Sequence, residues 1–201
     1  MNDFTTVDLL RHGEPAGGKK FRGALDDPLS PLGWQQMRAA VGDFRGWQTI
    51  VSSPLIRCAA FARELAQQLD RPLEIVQGFS EIRFGVWEGR GVAEVHASDP
   101  LALAQFWRDP IAHPIPESEP VADFDRRVGQ AWATLLERHR GQHVLLVAHG
   151  GTIRMVLRRI LDMPLRRLWR FEVPFAALSR VHWFHDPEAD PRLVFHNGRV
   201  T

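Results

Sequence analysis

Short apolar runs alternate along this chain with stretches whose apolar residues recur at every third or fourth position. Six runs read as strands: Thr6–Leu10, Thr49–Ser52, Leu73–Val76, His143–Ala148, Leu178–Phe184 and Arg192–His196. Each is rich in branched or apolar residues and is bounded by Gly, Pro, Asp or Ser. Two helical segments, "PLGWQQMRAAVGDF" and "PLIRCAAFARELAQQL", open on the prolines of Ser30-Pro31 and Ser53-Pro54. In each pair a capping hydroxyl precedes a proline suited to the first turn. Val121, Phe124, Val128, Trp132 and Leu135 step along one face of a third helix, which assigns Trp132 to a core. Ile153, Val156, Leu157, Ile160 and Leu161 do the same after Gly151, until Pro164 ends that helix. Strand alternating with helix predicts an α/β fold. We expect a three-layer α/β/α sandwich with a mostly parallel central sheet and an antiparallel edge from Leu178 to His196, turned by "DPEADP".

Residues 79–120 break the rhythm with Gly85, Gly89 and Gly91 and five prolines from Pro100 to Pro120. We expect an excursion over one end of the sheet, carrying short helices and covering a site, within a single domain spanning 1–201. A length of 201 residues fits one core. The formal net charge of +1 gives no reason to expect nucleic acid or an anionic membrane as partner, so positive charge that matters must be local. Cys58 is the only cysteine; it permits no internal disulfide, fits a reducing compartment and reads as a buried helical thiol. No secretory apolar stretch is visible near the start, and "VLLVA" (Val144–Ala148) is too short to span a bilayer. A cytoplasmic protein is the expectation.

Three predicted strands end in chemically loaded residues. The first delivers Arg11-His12-Gly13, the second Ser52-Ser53-Pro54 with Arg57 following, and the fourth His149-Gly150-Gly151-Thr152. Ligands of open α/β sheets bind beyond the carboxyl ends of the strands, so these groups are expected to converge. Arginine forks match phosphate oxygens and keep their charge, and helix N-termini after Ser53 and Gly151 would aim N–H groups at the same anion. A strand-end histidine can be a packed residue, a metal ligand or a nucleophile. Two of them, each followed by glycine and accompanied by Arg11 and Arg57, favour a site over packing. An arginine beside a histidine ligand, as Arg11 stands beside His12, would repel a metal cation, and no H-x-x-x-H or H-E-x-x-H pair occurs; no cofactor or metal is expected. Gly13, Gly18 and Lys19 have the spacing of a phosphate-binding loop, yet Lys20 replaces the required hydroxyl, and Gly23 and Pro28 interrupt the helix that should follow.

In their order, "LLRHGEP", "FRGALDDPLSPLGWQQ", "VSSPLIRCAAFARELA", "SEIRFGVWEGR" and "VLLVAHGGTIRMVL" resemble the histidine phosphatase superfamily, the phosphoglycerate-mutase-like phosphatases, over most of Val7 to Leu157. "FGVWEGR" and the compact length look most like the α-ribazole 5′-phosphate phosphatase and broad-specificity branch. The resemblance implies a metal-independent phosphomonoesterase. His12 would be the nucleophile, Glu81 the proton donor and then the base that activates water, and Arg11, Arg57 and His149 the phosphate pocket, with His149 also stabilising the transferring group. Phe84, Trp87 and Trp107 would border the leaving group, and Lys19 and Lys20 would draw anionic substrates to the rim. The expected partner is a small phosphorylated metabolite, and a homodimer is compatible with the chain. A mutase-type phosphotransfer and a catalytically silent phospho-ligand module are the competing readings. Mutase relatives carry an Asn shortly after the R-H-G-E stretch, and none occurs between Arg11 and Ser30. The "SEP" at Ser118–Pro120 stands where G-E-S is expected, which leaves Glu119 without an assigned role.

Overall fold

The computed structural model describes residues 3–200. Six strands form one sheet: β1 (Phe4–Arg11), β2 (Thr49–Ser52), β3 (Leu73–Ile75), β4 (His143–Ala148), β5 (Leu178–Phe184) and β6 (Arg192–Phe195). Their order is β3-β2-β4-β1-β5-β6, parallel from β3 to β1 and antiparallel through β5 and β6. The expected mixed sheet, with its antiparallel edge, is therefore present.

Alternation along the central strands produces the three layers. On one face Val7, Leu9, Val144 and Leu146 pack against α5 (Val121–Arg138) and α6 (Gly150–Ile160). On the other, Leu10, Ile50, Leu145 and Val147 meet α1 (Pro31–Val41) and α2 (Ile56–Leu69). The excursion carries α3 (Val92–Ser98) and α4 (Pro100–Arg108), whose Val95, Leu103 and Phe106 join the α5–α6 side. Trp132 and Cys58 are buried, as their spacing required. No helix of the described residues is long and apolar enough to cross a membrane.

Two helix starts separate the Ser-Pro pairs. Ser30 caps α1, its Oγ accepting the Gly33 N–H at 3.0 Å with Pro31 in the first turn. Ser53 does not cap α2, which begins at Ile56 after Leu55. Asp26 of a distant loop instead accepts the Ile56 N–H at 2.6 Å, and the Ser53 hydroxyl is engaged by a histidine. Helix α6 ends at Ile160, before Pro164, and leaves Leu161 45% exposed instead of on its buried face.

The three central strands end level. Arg11 lies opposite Ala148 and Ser52 opposite Val147, and the ladder runs one residue further through His12 N–H to Ala148 O and Ser53 N–H to Val147 O, both 3.0 Å. This register sets His12, Ser53 and His149 side by side.

Further back on β1, fully buried Asp8 accepts hydrogen bonds from Trp47 Nε1 (2.8 Å), Arg180 Nε (2.8 Å) and His143 Nε2 (2.9 Å). Burial alone would raise its pKa, but the bonds from His143 and Arg180 outweigh that and hold the carboxyl below its ordinary value. A carboxyl depressed in the folded state contributes stability above its unfolded pKa of about 3.9 and loses it as pH falls through the folded value. Asp8→Asn is expected to cost about 3–5 kcal/mol at pH 7, as for other broken buried pairs. Urea titrations should show that this difference shrinks below about pH 4; a variant as stable as wild type at pH 7 would refute the role of the network.

Candidate active site

Beyond the ends of β1 and β4 opens a cavity of about 550 Å³, walled by Arg11, His12, Arg22, Glu81 and Arg154 and by aromatic rings of the covering segment. His12 is bound at Nδ1 to the carbonyl of Gly13 at 2.7 Å. A carbonyl only accepts, so Nδ1 carries the proton and the lone pair of the neutral ring is at Nε2. Burial, followed by the charges of Arg11 and Arg57, holds the His12 pKa well below its ordinary value, so the ring is neutral at pH 7. The strand is brought this close to α1 by two glycines: a Cβ on Gly13 would lie 2.1 Å from Gly33 O, and one on Gly33 would lie 2.1 Å from Glu14 O.

His149, the residue before α6, faces His12 edge-on with ring centroids 5.2 Å apart. Its Nε2 is 2.6 Å from Ser53 Oγ, and Cys58 Sγ lies 3.6 Å from the same nitrogen. Burial, Arg57 and His12 hold the His149 pKa well below ordinary as well. Burial likewise pushes the Cys58 thiol up, so it is a neutral packing partner. His149 and Arg57 are fully buried and stand behind the cavity wall instead of lining it. Arg11 does line it. Burial lowers its pKa to about 10, still cationic at pH 7, and its guanidinium lies 4.3 Å over the Phe175 ring. Its Nε has no hydrogen-bond partner among the described residues.

Glu81 lines the cavity through a contact that its sequence position does not announce. Its carboxylate accepts N–H bonds from Gly151 (2.9 Å), Thr152 (3.2 Å) and its own neighbour Ile82 (3.1 Å). The N-terminus of α6, expected to cradle an external anion, thus holds the protein's own carboxylate at two of its N–H groups. The backbone before Glu81 is clamped from α5: Arg127 donates to the carbonyls of Gly78 and Ser80 at 3.0 Å each. Glu119 pairs with Arg127 at 2.8 Å, which places Glu119 in the support of this segment and out of the cavity wall.

Arg22, Arg154, Trp169 and Phe175 also line the cavity; Arg22 and Arg154 fall within two of the quoted stretches without a role of their own, and Trp169 and Phe175 lie beyond them. Phe84 and Trp107, of the three aromatics expected to border a leaving group, line the cavity. Trp87 does not; it is buried against Phe21 and Phe106 as core. Lys19 and Lys20 reach the rim, Lys20 paired with Asp27 at 3.1 Å. No helix follows Lys19 until Pro31, so the phosphate-loop spacing is coincidental. Among the described residues, no three His, Cys, Asp or Glu side chains gather as metal ligands would.

Two neutral imidazoles among guanidinium groups at the carboxyl edge of an α/β sheet have the chemistry suited to a tetrahedral oxyanion. The family model for the histidine phosphatase superfamily, branch 1, matches residues 7–195, and the chain belongs to that superfamily and to the phosphatases. A Hydrogenobacter thermophilus protein provisionally named phosphoserine phosphatase 2 is 28% identical over 178 residues, 87% of each chain. The adenosylcobalamin/α-ribazole phosphatase of Escherichia coli K12 is also 28% identical over 178 residues, covering 86% of this chain and 87% of that one. The chain spans about half the length (54%) of a bifunctional protein of Mycobacterium tuberculosis with which it shares 32% identity over 199 residues. Among solved structures, a mycobacterial glucosyl-3-phosphoglycerate phosphatase in complex with VO3 superimposes with a TM-score of 0.82 at 26% identity, covering 96% of this chain and 98% of that one.

A Cβ on Gly151 would lie 2.4 Å from Glu81 Oε1. Gly151→Ala must therefore push the carboxylate off the helix end. Misplacing a reacting group by about 1 Å costs about 10²-fold, and a drop of that order is expected in kcat for phosphate release, with the chain still folded by circular dichroism. A wild-type kcat would show that this docking is irrelevant to the reaction.

Proposed function

We propose that this chain hydrolyses phosphomonoesters through a covalent phosphohistidine at His12, without a metal. The observation that carries this reading is the Nδ1–H bond to Gly13, which leaves Nε2 of a neutral, buried imidazole as the nucleophile beside a guanidinium-lined cavity.

In the first half-reaction Glu81 enters protonated: Nε2 attacks phosphorus, the P–O bond to the leaving group breaks, and the leaving oxygen takes the proton from Glu81, which is left as the carboxylate. In the second, Glu81 removes a proton from water, the hydroxyl attacks phosphorus, and the P–N bond breaks to return the imidazole to Nε2 and release phosphate. Arg11 at the wall and Arg57 behind it balance the phosphoryl charge, and His149, from behind the wall, helps stabilise the transferring group. The one carboxylate that serves both steps is anchored at a helix end, so it acts from a fixed position. Residues 79–120 act as the cover of the site within a single domain; Phe84 and Trp107 contribute to the wall against which the leaving group lies.

The substrate class is a small phosphorylated metabolite, and α-ribazole 5′-phosphate is the member favoured here. Three supports converge on it: the curated relative of that activity, a cavity larger than a phosphate needs, and an aromatic wall in which Trp107 and Trp169 meet at 4.9 Å, suited to a flat base. The single thiol fits a cytoplasmic enzyme.

Phosphate release from p-nitrophenyl phosphate is expected to survive chelators and to vanish in His12→Ala. Arg57→Ala is expected to retain activity lowered by about 10²–10³, the usual loss for one transition-state donor. Activity surviving His12→Ala would overturn the mechanism. Interconversion of phosphoglycerates without net phosphate release would establish the mutase reading, and binding of phosphate esters without turnover the silent one.

A further inference from the structure

Arg57 has no solvent-exposed surface, and a guanidinium keeps its charge inside proteins. Its nearest carboxylate, Asp26, stands 4.0 Å away, is half exposed and already accepts the Ile56 N–H at 2.6 Å. The bonds that do hold the guanidinium are to main-chain carbonyls: Leu25 at 2.7 Å, and Arg22 and Gly23 at 3.2 Å each.

On the other side of those same peptides lies Glu88, the acidic residue of "FGVWEGR". Its carboxylate accepts the Gly23 N–H at 3.0 Å and the Ala24 N–H at 2.9 Å, and the Phe84 N–H at 2.9 Å ties it to its own segment. The carbonyl of Arg22 and the N–H of Gly23 belong to one peptide group, and the carbonyl of Gly23 and the N–H of Ala24 belong to the next. Two consecutive peptides therefore stand in line between guanidinium and carboxylate, each donating to Glu88 and accepting from Arg57. Dipoles of about 3.5 D aligned in this sense are polarised by both charges at once. The packing leaves no slack: a Cβ on Gly23 would lie 2.1 Å from Ile82 O and 2.3 Å from Glu88 Oε1.

We infer that Glu88 is the indirect counter-ion of Arg57, acting through the Arg22–Gly23 and Gly23–Ala24 peptides to fix the charge and direction of the guanidinium at the phosphate site. It is a positioning residue that does not touch substrate. This role rests on the assignment of Arg57 to the phosphate site in the function proposed above, and it gives the glutamate of that motif a task distinct from that of Glu81.

A double-mutant cycle on kcat/KM with p-nitrophenyl phosphate tests it. Glu88→Gln in the wild-type background is expected to lose roughly 10–100-fold, the range usual for outer partners of a site. In the Arg57→Ala background the same change is expected to cost less than about twofold, because the group it positions is gone. Equal losses in the two backgrounds would overturn the relay, since a general weakening of the fold affects both alike. If Arg57→Ala itself turns over as wild type, the assignment of Arg57 fails and the relay falls with it. Should the Gln variant not fold, Glu88→Asp carries the same cycle with the same criterion.

Discussion

A full positive charge is held out of water at Arg57, and much of the site follows from how the chain tolerates it. The desolvation penalty for a buried ion is several kcal/mol even after relaxation. Among the described residues the nearest carboxylate, Asp26, stays 4.0 Å from the guanidinium, and main-chain carbonyls of residues 22, 23 and 25 bond it directly. The linker between β1 and α1 is thereby part of the electrostatic structure, and its exposed Asp26 reaches back to start α2.

That charge, with Arg11, also governs the histidines. Burial first, and then the neighbouring guanidinium charges, keep both imidazoles unprotonated, so the same cations that would hold a phosphoryl group also favour the neutral ring of His12. The positive end of α6 takes a different load: it secures Glu81 at Gly151 and Thr152. Arginines stand on one side of the cavity and a helix end holds the Glu81 carboxyl, so the cationic groups and the carboxyl rest on separate supports. The clamp of Arg127 and Glu119 on the backbone before Glu81 extends that support to α5.

Much of this was legible in the residues. Apolar runs bounded by polar groups place strand ends at Leu10, Ser52 and Ala148, within one residue of the observed Arg11, Ser52 and Ala148, and their level register brings His12 beside His149. What stayed hidden depends on partners remote in sequence. Ser30 and Ser53 look alike before a proline, but only Ser30 is free to cap; Ser53 is drawn to His149 across the sheet. Glu81 is one loop carboxylate among several until α6 supplies its N–H groups. Arg22 and Arg154 lie in ordinary polar positions of a loop and a helix, and only folding turns them into the cavity. Trp87 and Trp107 are equally aromatic in one glycine-rich segment, yet Phe21 and Phe106 bury the first, and the second remains 37% exposed at the mouth.

The central claim is that His12 reacts through Nε2. The most direct measurement is to quench turnover of a phosphate ester in alkali, where phosphohistidine persists, and to locate the phosphoryl group by mass spectrometry and 31P NMR. The account predicts phosphate on Nε2 of His12, formed during turnover and lost as substrate is exhausted. Phosphate on Nδ1, on another residue, or no covalent species under rapid quench would contradict it.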